Sequence, residues 1–159
     1  MKTLVVYYSR TETTAQLARA IAEATGAELE PLIDTVSRSG GRGFLRSLRD
    51  AARRRSTTIE PLRVDPSRYD LVIVGTPDWG GSVSAPVRAF LTEYRRSLPA
   101  VAFFLTDGSA DHEKVFADMA ELAAREPLAA LGLPHDEVEQ GEYADRVADF
   151  ATSLRVEAD

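Results

Sequence analysis

The chain has 159 residues, 44% hydrophobic and 28% charged, with a net charge of −6 and no cysteine. One domain spanning 1–159 is expected, since a chain of this length buries about 68–70% of its unfolded surface. Lack of cysteine excludes disulfides, thiolate catalysis, Fe–S clusters and zinc–thiolate sites, and the acidic balance argues against nucleic acid as a partner.

The pattern alternates between strands and helices. Strand 1 is predicted over Thr3 to Tyr8, apolar and β-branched, and a helix over Thr13 to Thr25 with Leu17, Ile21 and Ala24 on one stripe. Gly26 stands where a left-handed C-cap is favoured. Glu28 to Ile33 reads as strand 2, an edge strand, because Pro31 removes a ladder donor. Val36 to Gly43 reads as a Ser/Arg/Gly loop, and Phe44 to Arg55 as an amphipathic helix. Arg38, Arg42, Arg46, Arg49, Arg53, Arg54 and Arg55 crowd this segment, while the C-terminal third is acidic. Such a basic face is ordinarily a solvated helix surface. Its functional alternative is a docking patch for an acidic partner or a dinucleotide phosphate.

Tyr69 to Gly75 is the clearest buried strand, with almost no polar interruption, as parallel strands covered on both faces require. The loop Thr76 to Ser84 precedes a helix opened by Pro86 and closed before Pro99. Ala100 to Leu105 is strand 4. Asp111 reads as the cap of a helix carrying Phe116, Met119, Ala120 and Ala123, which Glu126-Pro127 breaks. Leu128 to Leu133 is strand 5, and Tyr143, Val147, Phe150 and Leu154 mark the last helix. Alternation of this kind predicts a parallel five-stranded α/β sandwich with right-handed crossovers. No apolar run approaches about eighteen residues, so no spanning helix is expected. The first strand begins within two or three residues of Met1, with no charged-then-apolar leader, which makes a cytoplasmic location the expectation.

Ligands of open parallel sheets sit beyond the carboxyl ends of the strands. The loop after strand 1 holds Ser9, Arg10, Thr11, Glu12, Thr13 and Thr14 at a helix start. Hydroxyls and unpaired N–H groups there suit a phosphate, although Ser and Thr also serve simply as caps. The loop after strand 3 holds Thr76, Pro77, Asp78, Trp79, Gly80 and Gly81, with the chain's one tryptophan. That ring either folds over the local core or forms a wall for a flat aromatic ligand. The loop after strand 4 is Thr106, Asp107, Gly108 and Ser109. Asp107, Asp111, His112 and Glu113 raise metal-dependent hydrolysis as a weaker reading, since acidic residues belong at a helix start for dipole reasons. Neither His112 nor His135 has a visible catalytic partner in the sequence.

These three loops, together with Tyr69 to Gly75 and the Pro86 to Leu91 helix start, resemble the flavodoxin-like family over essentially the whole chain. The resemblance implies a doubly wound parallel sheet in order 2-1-3-4-5, the order for which flavodoxin is the standard example. It implies FMN as cofactor. Ser9, Arg10, Thr11, Thr13 and Thr14 would hold its phosphate, while Thr76, Pro77, Asp78, Trp79, Gly80 and Gly81 would line one edge of its ring. Thr106, Asp107, Gly108 and Ser109 would line the other.

Glu12 departs from the glycine usual in the family's phosphate loop. A carboxylate about 6 Å from a phosphate costs about 3 kcal/mol per unit charge at an effective dielectric near 20, and a side chain turned to solvent escapes most of that through screening. The third loop also lacks a second stacking aromatic. The implied function is a redox flavoprotein, passing electrons to a partner protein or reducing a quinone-type small-molecule acceptor with NAD(P)H. Asp78 and Asp107 near the ring would lower its potential. The alternative is a protein of this fold that has lost tight FMN binding and acts through protein contacts.

Overall fold

A computed structural model describes residues 1–35, 40–52, 57–107 and 112–157. Its centre is a five-stranded, all-parallel sheet of β1 (Thr3–Tyr7), β2 (Glu28–Pro31), β3 (Leu71–Pro77), β4 (Ala100–Asp107) and β5 (Ala130–Pro134), in the order β2-β1-β3-β4-β5. This is the expected order, with β2 at the edge. Alternate residues of each strand point to opposite faces. On one face Leu4, Val6, Val72, Val74, Val101, Phe103 and Leu105 pack against Val87, Phe90 and Leu91 of α3 (Ala85–Tyr94) and Met119 of α4 (His112–Ala123). On the other, Val5, Leu71, Ile73 and Phe104 pack against Leu17 and Ile21 of α1 (Glu12–Thr25) and against Val147, Phe150 and Leu154 of a C-terminal helix (Ala144–Val156). Both faces are therefore dry, which explains the unbroken apolar run of β3.

Local signals explain most boundaries. Gly26 closes α1 in the left-handed conformation (φ 68°) and donates its N–H to the Ala22 carbonyl. Pro86 lies in the first turn of α3, where its missing N–H costs nothing. Asp65 caps the one-turn 3-10 helix Pro66–Arg68 by accepting from Ser67 N–H.

Two readings need correction. Helix α2 (Gly40–Ala52) begins four residues before the expected Phe44. Glycine weakens a helix by roughly 1 kcal/mol per residue relative to alanine, so Gly40, Gly41 and Gly43 read locally as loop. A non-local contact reaches this end of the helix, the Arg10 guanidinium lying 5.3 Å from the Phe44 ring centroid. Residues 36–39 and 53–56, including Arg38, Arg53, Arg54 and Arg55, lie outside the described residues. The second correction is at the C-terminal side. Strand β5 runs two residues later than expected at its start, and its end feeds an unforeseen short helix, α5 (His135–Glu139), making Ala144–Val156 helix α6. Five residues are too few for a visible helical period, although Asp136 and Glu137 in its first turn suit the dipole.

Gly75 shows how tightly the sheet is covered. It pairs with Phe104 across the β3–β4 ladder, and a Cβ there would stand 1.9 Å from Cζ of the Phe104 ring. Gly75→Ala should destabilise the fold by about 1–3 kcal/mol through overpacking, measured by urea unfolding. Adding Phe104→Leu should recover part of that loss. Equal loss in the single and double variants would refute the steric account.

Candidate functional site

The carboxyl ends of β1, β3 and β4 lie side by side, with Tyr7 opposite Gly75 and Pro77 opposite Thr106. The three loops singled out in the sequence therefore start from one edge of the sheet. The first is closed on itself. Ser9 Oγ donates to the Thr11 carbonyl and accepts from Ala15 N–H at 3.1 Å. Thr14 Oγ1 lies 2.7 Å from Thr106 Oγ1, a buried bond that ties the first loop to the third. Thr13 Oγ1 donates to Glu139 Oε1 of α5 at 3.4 Å.

Three of the four hydroxyls expected to meet a phosphate are thus engaged within the protein. Thr11 is the exception. It is exposed, stands in extended conformation at the N-cap position of α1, and makes no side-chain cap bond. The first-turn N–H groups of α1 are not claimed by their own cap residue.

Glu12 opens α1. Its side chain is 84% exposed and forms a 3.0 Å ion pair with Arg19 Nη2. Among the described residues only Ala124 combines a side chain with positive φ, so Glu12 carries no left-handed strain. A pair this exposed contributes about 0–1 kcal/mol. It does show that the carboxylate is directed to solvent and to a cation.

The second loop is a tight hairpin. Asp78 N–H donates to the Thr106 carbonyl at 2.9 Å, Trp79 N–H to the Ser82 carbonyl, and Asp78 bridges Val83. Asp78 Oδ1 accepts from the N–H groups of Gly81 (2.7 Å) and Ser82 (3.1 Å), while Gly80 and Gly81 take φ of 62° and 79°. Only glycine adopts this pair of conformations cheaply. Buried Thr76 donates to the Pro77 carbonyl at 2.8 Å and accepts from Ser84 N–H at 3.1 Å. Lys114 Nζ reaches the Gly81 carbonyl from α4 at 2.8 Å. Trp79 is only 4% exposed and meets Tyr8 edge-on, centroids 5.6 Å apart. Here the indole is folded over the core.

In the third loop, Thr106 and Asp107 are buried, and Gly108 and Ser109 lie outside the described residues, as do Ala110 and Asp111. Asp107 is 1% exposed, and His112 Nε2 lies 2.6 Å from its Oδ2. The partner missing from the sequence reading is this carboxylate at the end of β4, which His112 meets from the start of α4. Gly132 of β5 receives the imidazole, since a Cβ there would stand 2.1 Å from Nδ1. Among the described residues no group of three or more His, Asp or Glu could hold a metal ion. Sequence reasoning also missed Glu139 and Gly132. A glycine interrupting the short apolar β5 was the only local sign of the latter.

Burial pushes the Asp107 carboxyl above its ordinary range, and the neighbouring His112 pulls it back only in part; Asp78 adds to the rise and His135 opposes it. The folded chain therefore keeps a proton on Asp107 at pH values where the unfolded chain has lost it. Stability from that proton is complete below the unfolded pKa and lost as pH rises through the folded one. Compared by urea unfolding, wild type should lose ground to Asp107→Asn as pH climbs from about 4. The opposite slope would mean that pairing with His112 outweighs burial.

No protein-family model matches the chain, and no curated protein matches it in sequence. Solved structures do. A flavoprotein from Lactobacillus acidophilus NCFM, crystallised in complex with FMN, is 22% identical with a TM-score of 0.72, over 90% of this chain and 98% of that one. Oxidised flavodoxin 2 from Bacillus cereus is 17% identical with a TM-score of 0.63, over 99% of each chain. An NADH:FMN oxidoreductase in its apo form is 16% identical with a TM-score of 0.57, over 98% of this chain and 89% of that one. With its strand order 2-1-3-4-5 and these neighbours, the chain has the flavodoxin-like fold.

Proposed function

We propose that the chain binds FMN at the carboxyl ends of β1, β3 and β4 and works as a redox protein, passing electrons to a partner protein or reducing a quinone-type acceptor with NAD(P)H. The observation that carries this reading is the start of α1. Its cap residue Thr11 makes no side-chain cap bond. Apart from Ala15 N–H, which donates to Ser9 Oγ, the first-turn N–H groups would be open to an external acceptor, beside Arg10 and at the point where strand order reverses between β1 and β3. The likeness to a flavoprotein crystallised with FMN supports it.

The donor set fits a phosphate: main-chain N–H groups, the Thr11 hydroxyl, and Ser9, Thr13 and Thr14 held in reserve by internal bonds. Thr76 to Gly81 and Thr106 to Ser109 would border the ring, the left-handed Gly80 and Gly81 bringing backbone close to its edge. FMN supplies the electron-accepting ring. The protein positions it, screens it from water and sets its potential through Asp78 and Asp107.

Titrating the purified protein with FMN and following flavin fluorescence tests this directly. Thr11→Val and Arg10→Ala should each weaken binding about tenfold, the loss of one hydrogen bond to a charged acceptor. Glu12→Gly should change affinity by less than about threefold, because the carboxylate is exposed, screened and turned to Arg19. A large gain on removing Glu12 would mean that its side chain approaches the phosphate.

The alternative, a protein of this fold acting through protein contacts without tight FMN binding, has its own support. Ser9, Thr13 and Thr14 already have partners, and Trp79 is buried against Tyr8. Protein that stays colourless in excess FMN would favour that reading.

A further inference from the structure

The chain has two histidines, and both stand by one buried carboxylate at the edge of the sheet that carries the proposed flavin site. Asp107 ends β4. His112 opens α4 and reaches Asp107 Oδ2 at 2.6 Å. The β4–β5 register sets Asp107 opposite Pro134, so His135, the next residue, starts α5 beside it. Gly132 leaves the space that the His112 ring fills. The His112 side chain keeps 27% exposure, against 1% for Asp107. A buried acid is thereby joined to solvent through an imidazole.

Other charged groups surround the pair. Asp78 lies across the second loop, bonded to Gly81 and Ser82 N–H. Lys114 of α4 reaches the Gly81 carbonyl and, at 3.8 Å, Asp118. Arg146 of α6 donates to the Gly132 carbonyl at 3.3 Å, and Glu139 of α5 accepts from Thr13. None of these comes between the His112 and Asp107 side chains, which touch each other directly.

We propose that Asp107 and His112 form a proton-holding pair whose charge follows the redox state of the flavin, an inference that rests on the FMN reading above. With one proton between carboxylate and imidazole the pair carries −1, and with two it is neutral. Electrons arriving on a nearby flavin add negative charge in a poorly solvated place, which favours the neutral form. The balance is explicit. Two electrons from a reductant such as dithionite and one proton go to the flavin, and a second proton passes from water to the pair. Burial already favours a proton on Asp107. The pair suits an acceptor that takes two electrons together with two protons, a quinone-type molecule. His112 and Asp107 act on the flavin through charge and are positioning residues.

The test is the midpoint potential of bound FMN between pH 5.5 and 8.5 in wild type, Asp107→Asn and His112→Gln. Over the range where the pair takes up its proton, wild type should change by a further tenfold per pH unit in the two-electron equilibrium, about 30 mV, and both variants should lose this extra slope. Gly132→Ala, which displaces the imidazole without removing a titrating group, should lose it too. Parallel lines in all forms that bind FMN overturn the pair and leave the cofactor reading intact. Failure of wild type to bind FMN overturns both. A readout free of substitutions is the imidazole 1H–15N spectrum of wild type at constant pH. The His112 signals should shift when bound FMN is reduced with dithionite, because a proton added to the pair changes the Nε2–Oδ2 contact, and an unchanged spectrum refutes the proposal.

Discussion

All strands of a parallel sheet end at the same edge, and the chain must cross a face of the sheet before the next strand can begin. That one constraint places everything else in this molecule. Both faces have to be covered by helices, so β1, β3 and β4 are buried and apolar along their lengths. Polar residues are then confined to the strand ends. Those of β1, β3 and β4 meet in register, bringing Tyr8, Pro77 and Asp107 into one small region from three distant parts of the chain.

Polar groups placed in that region have to be satisfied, since an unpaired buried donor or acceptor costs about 1–3 kcal/mol. The protein does this for most of them with its own groups, while Asp107 Oδ1 is buried without a hydrogen-bond partner. Ser9 closes the first loop, Thr14 binds Thr106, Thr76 binds the second loop's backbone, and Asp78 gathers the N–H groups of Gly81 and Ser82. Such bonds tie the first two loops to each other through Thr106 near the end of β4. They also divide the site's hydroxyls into those already committed and the exposed Thr11, while the Arg10 guanidinium lies over the Phe44 ring.

Two glycines of the sheet act through what they lack. Gly75 admits the Phe104 ring on one face, and Gly132 admits His112 on the other. The first completes an apolar layer. The second lets an imidazole reach a carboxylate that is otherwise shut away from water. Burial and ion pairing push on Asp107 in opposite directions, and burial is the larger. The result is a titratable group inside the sheet edge, which a fold held together by apolar packing has no need of.

Much of this was legible in the chain itself. Unbroken apolar strands alternating with helical stripes point to a parallel sheet, because helical crossovers cover both faces of strands such as β3. Pro31 marked the edge strand, and hydroxyls and glycines marked the three loops, since each depends on a residue and its immediate neighbours. The start of α2 at Gly40, the short α5, the Thr14–Thr106 bond and the Asp107–His112 contact were not legible. Gly40 to Gly43 are helical against their own propensity, and Thr14 lies 92 residues from Thr106. Which hydroxyls are spoken for, where Trp79 rests, and which carboxylate His112 meets were decided by strand register and helix packing. These fix distances between residues that the chain order leaves independent.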